Sequence, residues 1–299
     1  MRLSRLDYLF ATVCYADIFD YPLTDDDVYF RSIKYIPTKN VLNKSIPGVK
    51  KITYFRVLRG RQSIVNTYAK RKKSSKPKWE IARRVANILR MIPTIYLIGV
   101  TGGLSVNNAS TKDDIDLLII TARNTIWITR MLVIFLSTLF SLRRTPGMKN
   151  VSNKICLNMF MGDDALQIPT NERDLFSAHE VLQMEPLWSR KDTYKRFLLA
   201  NSWTKEYLPV AWSIKKIGRN QHPKVSYWWT RVARVLLRIF EVPAKYIQLW
   251  YMSGRRTTEV VEGSVLRFHP NDARIWIKKA FEKRLKKRNI PLDNIFYCR

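Results

Sequence analysis

Residues 95–120 confine the fold of this chain more than any other stretch. An apolar run from Ile95 to Val100 ends in Thr101-Gly102-Gly103. A polar stretch follows, then Asp113-Asp114-Ile115-Asp116 and a second apolar run to Thr121. Two apolar runs of strand length, separated by glycine and polar turn residues, predict strands over Ile95–Val100 and Ile115–Thr121. Strand side chains alternate faces, so Asp114 and Asp116 share one face and Ile115 takes the other. Two carboxylates on one face repel unless a cation lies between them. A divalent ion, Mg²⁺ or Mn²⁺, is therefore expected on Asp114 and Asp116. Mg²⁺ takes oxygen ligands and retains water, so two or three carboxylates suffice. Gly102 and Gly103 let the backbone come close to a polyphosphate, and N–H groups at the following helix start can bind its oxygens. The hydroxyls of Thr101 and Ser105 are further candidate phosphate contacts. Asp113, one residue out of phase, is expected to point away from the metal.

The same residues resemble the nucleotidyltransferase superfamily of DNA polymerase beta and kanamycin nucleotidyltransferase. That family shows an apolar residue, Gly-Gly or Gly-Ser, roughly ten residues, and Asp-x-Asp inside an apolar strand. Here the pattern is Thr101-Gly102-Gly103, then Leu104 to Asp113, then Asp114-Ile115-Asp116-Leu117. The resemblance implies a Mg²⁺-dependent transfer of a nucleoside monophosphate from a nucleoside triphosphate (NTP) to an acceptor hydroxyl. Two metal ions would stabilise the attacking and leaving oxygens. It also implies a third carboxylate on a later strand as base. The matching strand, Lys154 to Met161, carries Asn158 there; asparagine can orient a hydroxyl but cannot accept its proton. Asp163 or Asp164 just beyond the strand are the candidate substitutes. Without one, the chain binds nucleotide or nucleic acid with little or no turnover, as a regulatory protein would. The second glycine is a smaller departure, since many members have serine where Gly103 stands.

Lys plus Arg total 53 against 24 acidic residues, a formal net charge of +29 over 299 residues. Such a charge speaks of anionic partners rather than of fold; nucleic acid is a candidate, with binding that weakens as salt rises. Lys112, Arg123, Arg130, Arg143, Arg144 and Lys154 are candidates to neutralise a triphosphate. Cys14, Cys156 and Cys298 lack metal-cluster spacing and form no disulfide framework, which favours a reducing, cytoplasmic setting. His179, His222 and His269 are scattered, which argues against a zinc hydrolase. His179-Glu180 reads as a pair on a helix surface that needs no chemistry.

Leu6, Leu9, Phe10, Val13 and Cys14 have helical spacing, and Asp7 breaks the apolar run that a signal peptide needs. Thr24 is placed to cap a helix over Asp25–Ser32. A short helix over Thr38–Lys44 and a strand over Ile52–Leu58 complete a winged-helix-like layout. The segment Asp17 to Thr24 resembles the opening of winged-helix modules fused to bacterial nucleotidyltransferases. Residues 61–92 predict a helical connector broken near Pro77, with the basic run from Ala69 to Lys78 as a solvated helix end and linker. The core then reads β-α-β-α-β, with a helix over Ile126–Leu142, too short and too charged at Arg130 for a membrane span. Beyond Asp164 the pattern is helical: Glu172–His179 capped by Thr170, Thr193–Tyr207, Tyr227–Met252 bent at Pro243, and Asp272–Arg288, with Val265–Pro270 as linker. Trp228, Trp229, Trp250 and Tyr251 with Arg231, Arg234 and Arg238 have an interfacial composition. A core helix with an exposed arginine edge accounts for it, and membrane association is disfavoured. The expected organisation is α/β: a winged-helix-like domain over 1–62, a basic helical connector over 63–91, a nucleotidyltransferase-like core with a small mixed sheet over 92–164, and a helical region over 165–299. The oligomeric state is left open.

Overall fold

The computed structural model describes residues 3–145, 147–217, 228–253, 260–267 and 273–297. Helix α1 (Arg5–Asp17) starts at a capping box in which Ser4 and Asp7 satisfy each other's backbone N–H groups. Strand β1 (Leu23–Thr24) leads into α2 (Asp25–Phe30). As expected, Thr24 caps it, its hydroxyl accepting from the Asp27 N–H at 3.0 Å. Helix α3 is Lys39–Leu42. The single strand expected over 52–58 is instead a hairpin, β2 (Val49–Ile52) and β3 (Phe55–Leu58), turning at Thr53 with φ 54°. The three strands pair in the order β1-β3-β2. Buried Arg56 fastens this unit, its guanidinium bonding Asp25 and the carbonyls of Leu42 and Lys44.

Helix α4 (Ile64–Leu89) continues unbroken through Pro77, where a break was expected. An interior proline removes one helical hydrogen bond and normally kinks the helix. Here tertiary ties flank it. The Ser74 hydroxyl donates to Ala109 O at 2.6 Å, Ser75 Oγ accepts from the Ala109 N–H, and Lys78 is buried. The basic run is therefore no linker: one of its faces is docked.

Strands β4 (Ile95–Val100) and β5 (Ile115–Thr121) have the expected bounds, joined through α5 (Gly102–Ser105). Helix α6 (Ile126–Leu139) crosses to β6 (Ile155–Gly162). Next come α7 (Leu175–Gln183), β7 (Glu185–Ser189), α8 (Thr193–Ala200) and α9 (Pro209–Ile217). The chain finishes with α10 (Trp228–Ile239), α11 (Glu241–Ser253), β8 (Val260–Glu262), β9 (Val265–Arg267), α12 (Ala273–Leu285) and α13 (Asp293–Phe296). Helix α7 is capped by Asp174, whose carboxylate accepts from the Ser177 N–H at 2.8 Å; Thr170 instead begins a separate 3₁₀ turn.

Among the described residues, the main sheet has six strands in the order β7-β4-β5-β6-β9-β8, parallel only between β5 and β6. The mixed α/β class and mixed sheet are as expected. Three of its strands, β7, β8 and β9, come from the region read as helix and linker. The sheet is a middle layer. Leu117, Ile119 and Phe160 pack on one face with α4, α6 and α11. Leu97, Leu118 and Ile120 pack on the other with α1, α7 and α12.

Residues 228–253 form two helices meeting at Phe240 rather than one bent at Pro243, which falls in the first turn of α11, where its missing N–H costs nothing. Arg231 and Arg238 of the expected arginine edge are exposed, but the third arginine is not, and the helix is not a core helix. Thr230 and Arg234 are buried, the Arg234 guanidinium standing 5.6 Å from the Tyr96 ring centroid, while Val235, Leu236 and Ile239 are exposed. Tyr227 and the side chains of Trp228 and Trp229 lie outside the described residues. No helix among those described is long and apolar enough to cross a membrane.

Candidate functional site

The carboxylates stand where β4 ends and β5 begins, in the middle of the sheet. Asp116 shares the strand parity of Leu118 and Ile120, and so faces the layer of α1 and α7. Parallel pairing sets Cys156 of β6 beside Asp116. Asp114, Asp116 and Cys156 each offer an atom to a cluster whose members all lie within 4.8 Å of one another. Cys156 was not singled out in the sequence; the signal was its place two residues before Asn158 on the strand expected to flank β5. Burial, Asp116 and Asp114 push its thiol up to about 12, and a sulfur atom is a poor ligand for a hard cation. The oxygen atoms are the available donors, and they suit a hard cation. The side chain of Asn158 lies outside the described residues.

Gly102 has φ +64°, the left-handed region that glycine occupies freely. A Cβ there would lie 2.6 Å from Asp116 Oδ2. Glycine is thus required twice, for the turn and for the carboxylate pressed against it. Thr101 N–H donates to Asp116 O at 3.1 Å, closing the loop. Gly103 is less demanding, with Asn108 O 3.4 Å from its would-be Cβ. Ser105 Oγ donates to Gly102 O at 2.8 Å, and its residue borders a different, open depression with Trp79, Arg83 and Asn107. Thr101 makes no side-chain capping bond.

Asp113 points away as expected, its carboxylate accepting from Ser110 N and Oγ. Lys78 organises the approach to the carboxylates. Its ammonium donates to Asp113 O at 2.6 Å, Thr111 O at 3.3 Å and Asn153 Oδ1 at 3.0 Å. Burial holds its pKa below that of an ordinary lysine.

Of the basic candidates, Arg144 reaches the cluster: it donates to Asp114 Oδ2 at 2.8 Å, and that bond raises its pKa. Arg123 stands 3.7 Å from Asp164, Arg130 bonds Gln248, and Lys154 donates to Ser141 O. Burial lowers the pKa of Arg143, and Lys112 is exposed. The proposed substitutes for the third carboxylate do not reach the site. Cys156 pairs with Asp116 at one end of β6 and Gly162 pairs with Thr121 at the other. Five residues at about 3.3 Å each put Asp163 and Asp164 roughly 16 Å away. They pair there with Arg196 and Arg123.

A cavity of about 360 Å³ adjoins the glycine turn, walled by Gly102 and Gly103, α1, α4 and α7. His179 and Glu180 both line it; Glu180 is exposed, as a surface residue would be, but its expected surface partner is not. His179 is buried and stacked on Tyr15 at 4.1 Å, and burial drives its pKa well below that of a free imidazole. No family model, curated protein or solved structure matches the chain.

Proposed function

We propose that the chain is a Mg²⁺-dependent nucleotidyltransferase, moving a nucleoside monophosphate from an NTP to an acceptor hydroxyl. The observation that carries this reading is Asp116 pressed against left-handed Gly102, with Asp114 and Cys156 in the same cluster. Asp114 and Asp116 would hold the metal, and the metal would supply charge for the α-phosphate and the leaving pyrophosphate. Gly102 leaves no side chain between that metal and a polyphosphate. Arg144, now on Asp114, would turn to phosphate oxygens once a cation neutralises the carboxylate. The β4–β6 unit is then a nucleotidyltransferase-like core, and residues 1–62 a winged-helix-like module, in keeping with three helices and the β1-β3-β2 sheet.

A second reading, a weakly active or inactive protein that binds nucleotide or nucleic acid, is favoured by one observation: β6 contains no carboxylate from Ile155 to Gly162. The net charge of +29 accords with it. Incubation with each labelled NTP, Mg²⁺ and acceptor pools tests the first reading. Transfer lost in Asp116→Asn is expected. NTP binding without transfer, lost in the same variant, would select the second; no nucleotide binding at all would end the first.

A further inference from the structure

The cavity beside the glycine turn contains polar groups that the fold leaves unpaired. Asn108 is 7% exposed; its amide nitrogen donates to Phe19 O at 2.8 Å, and its Oδ1 has no partner. His179 is 4% exposed; Gln183 Nε2 lies 2.9 Å from Nδ1, leaving the hydrogen of the neutral ring on Nε2, which has no partner. Glu180 has no hydrogen bond or ion pair among the described residues, and its exposed surface lines the cavity. Unpaired buried donors and acceptors are costly and uncommon in folded proteins. Two buried, unpaired polar atoms and an exposed carboxylate on residues that line one space are a reason to expect a ligand in it. The remaining wall combines the rings of Tyr15, Phe19, Tyr21 and Trp276 with the charged residues Asp20, Arg31, Arg71 and Asp113.

We infer that this cavity receives the base of the nucleotide whose phosphates bind at Gly102 and Asp116, and that it prefers a base carrying an exocyclic amino group. The inference rests on the nucleotide reading above and adds the recognition of the base. Its geometric warrant is continuity: Gly102 lies against the Asp116 carboxylate and is itself part of the cavity wall. Its chemical warrant is complementarity. Asn108 Oδ1 and the Glu180 carboxylate are acceptors, and His179 Nε2–H is a donor. Adenine, guanine and cytosine each present N–H₂ donors together with ring or carbonyl acceptors; uracil has no amino group. Aromatic rings suit a planar heterocycle, and the volume lies within the roughly 300–1,000 Å³ of small-molecule sites.

Calorimetric titration of the full chain with Mg²⁺ and inorganic triphosphate, and with Mg²⁺ and ATP, GTP, CTP or UTP, tests the idea. At least one amino-bearing nucleotide should bind tenfold or more tightly than both triphosphate and UTP. Glu180→Gln should erase most of that margin while leaving triphosphate affinity unchanged. The variant breaks no hydrogen bond of the fold, and its unchanged triphosphate binding is the control for folding. Equal affinities for triphosphate and all four nucleotides would overturn the inference. So would a preference for UTP, or a margin that survives Glu180→Gln. In those cases triphosphate binding that disappears in Asp116→Asn would leave the metal–phosphate reading standing. Failure of triphosphate and all nucleotides to bind would remove both.

Discussion

Replacing Gly102 with alanine probes the contact on which the site depends. Two costs can be worked from the geometry. An L side chain at φ +64° costs about 1–2 kcal/mol, of which the narrower unfolded ensemble of alanine offsets about 0.4–1 kcal/mol. The new Cβ lies 2.6 Å from Asp116 Oδ2, against a floor of 3.0 Å for real Cβ contacts, so the carboxylate must retreat by at least 3.0 − 2.6 = 0.4 Å. Backbone strain alone predicts a stability loss of about 1 kcal/mol. The displaced carboxylate predicts a further, separable effect: Mn²⁺ affinity lower by about tenfold or more, since one of two charged ligands leaves its place. Urea unfolding without metal measures the first, and calorimetric Mn²⁺ titration the second. Gly103→Ala is the internal control, because its nearest neighbour, Asn108 O, is 3.4 Å away and its backbone angle is ordinary. Gly102→Ala binding Mn²⁺ like the wild type, or Gly103→Ala losing as much affinity, would refute the argument that Gly102 is there to admit Asp116.

Lys78→Met should destabilise the protein by about 2 kcal/mol in urea, because three acceptors lose their shared donor while the burial penalty of the ammonium is also relieved; an unchanged or raised midpoint would show that the ammonium is not a tie. Arg144→Met should change stability by no more than about 1 kcal/mol, as its ion pair is half-exposed. It should also raise Mn²⁺ affinity several-fold by removing a competing cation from Asp114; weaker Mn²⁺ binding contradicts that role. Glu180 makes stability depend on pH. Burial raises its pKa from 4.5 to about 7, so the folded state holds this proton more tightly than the unfolded state. Stability is full below pH 4.5 and declines as pH rises towards 7. Because the carboxylate is open to water in the cavity, the loss is discounted to about 1 kcal/mol. Wild type and Glu180→Gln should match near pH 4.5, with the variant more stable at pH 7.5; parallel melting curves across that range would contradict a raised carboxylate pKa.

Strands β4 and β5 were legible because each is a continuous apolar run stopped by turn residues, and fully buried strands leave that mark. The capping of α2 was legible because the Thr24–Asp27 interaction is local. Strand β7 was not. Glu185-Pro186-Leu187-Trp188-Ser189 contains a proline, which argues against a central strand, and β7 is tolerated only as the sheet's edge. Strands β8 and β9, three residues each, are too short to show a period and exist by pairing with each other and with β6. The hairpin of β2 and β3 was hidden because Thr53 and Tyr54 have strand propensity, yet Thr53 turns the chain.

The site divides along the same line. Asp114, Asp116 and Gly102 could be read because alternation and turn chemistry act over a few residues. Cys156, Lys78 and Glu180 could not, since the meaning of each lies in a neighbour remote in sequence. Lys78 belongs to a run of basic residues that resembles a solvated tail, and only Asp113, Thr111 and Asn153 reveal it as a tie. The same long-range packing brings α7 against the glycine turn. It makes a carboxylate that reads as helix surface into an unpaired group in the wall of a cavity. The carboxylate absent from β6 is therefore not absent from the neighbourhood of the turn: Glu180 and Gly102 line the same cavity. If the base occupies that cavity, Glu180 is committed to recognition, and the acceptor's proton must leave to water or to a group supplied by the acceptor. Slow transfer whose rate rises with the acidity of the acceptor hydroxyl follows from that arrangement. A transfer rate abolished by Glu180→Gln with nucleotide affinity unchanged would assign Glu180 to the reaction and overturn the base-recognition inference.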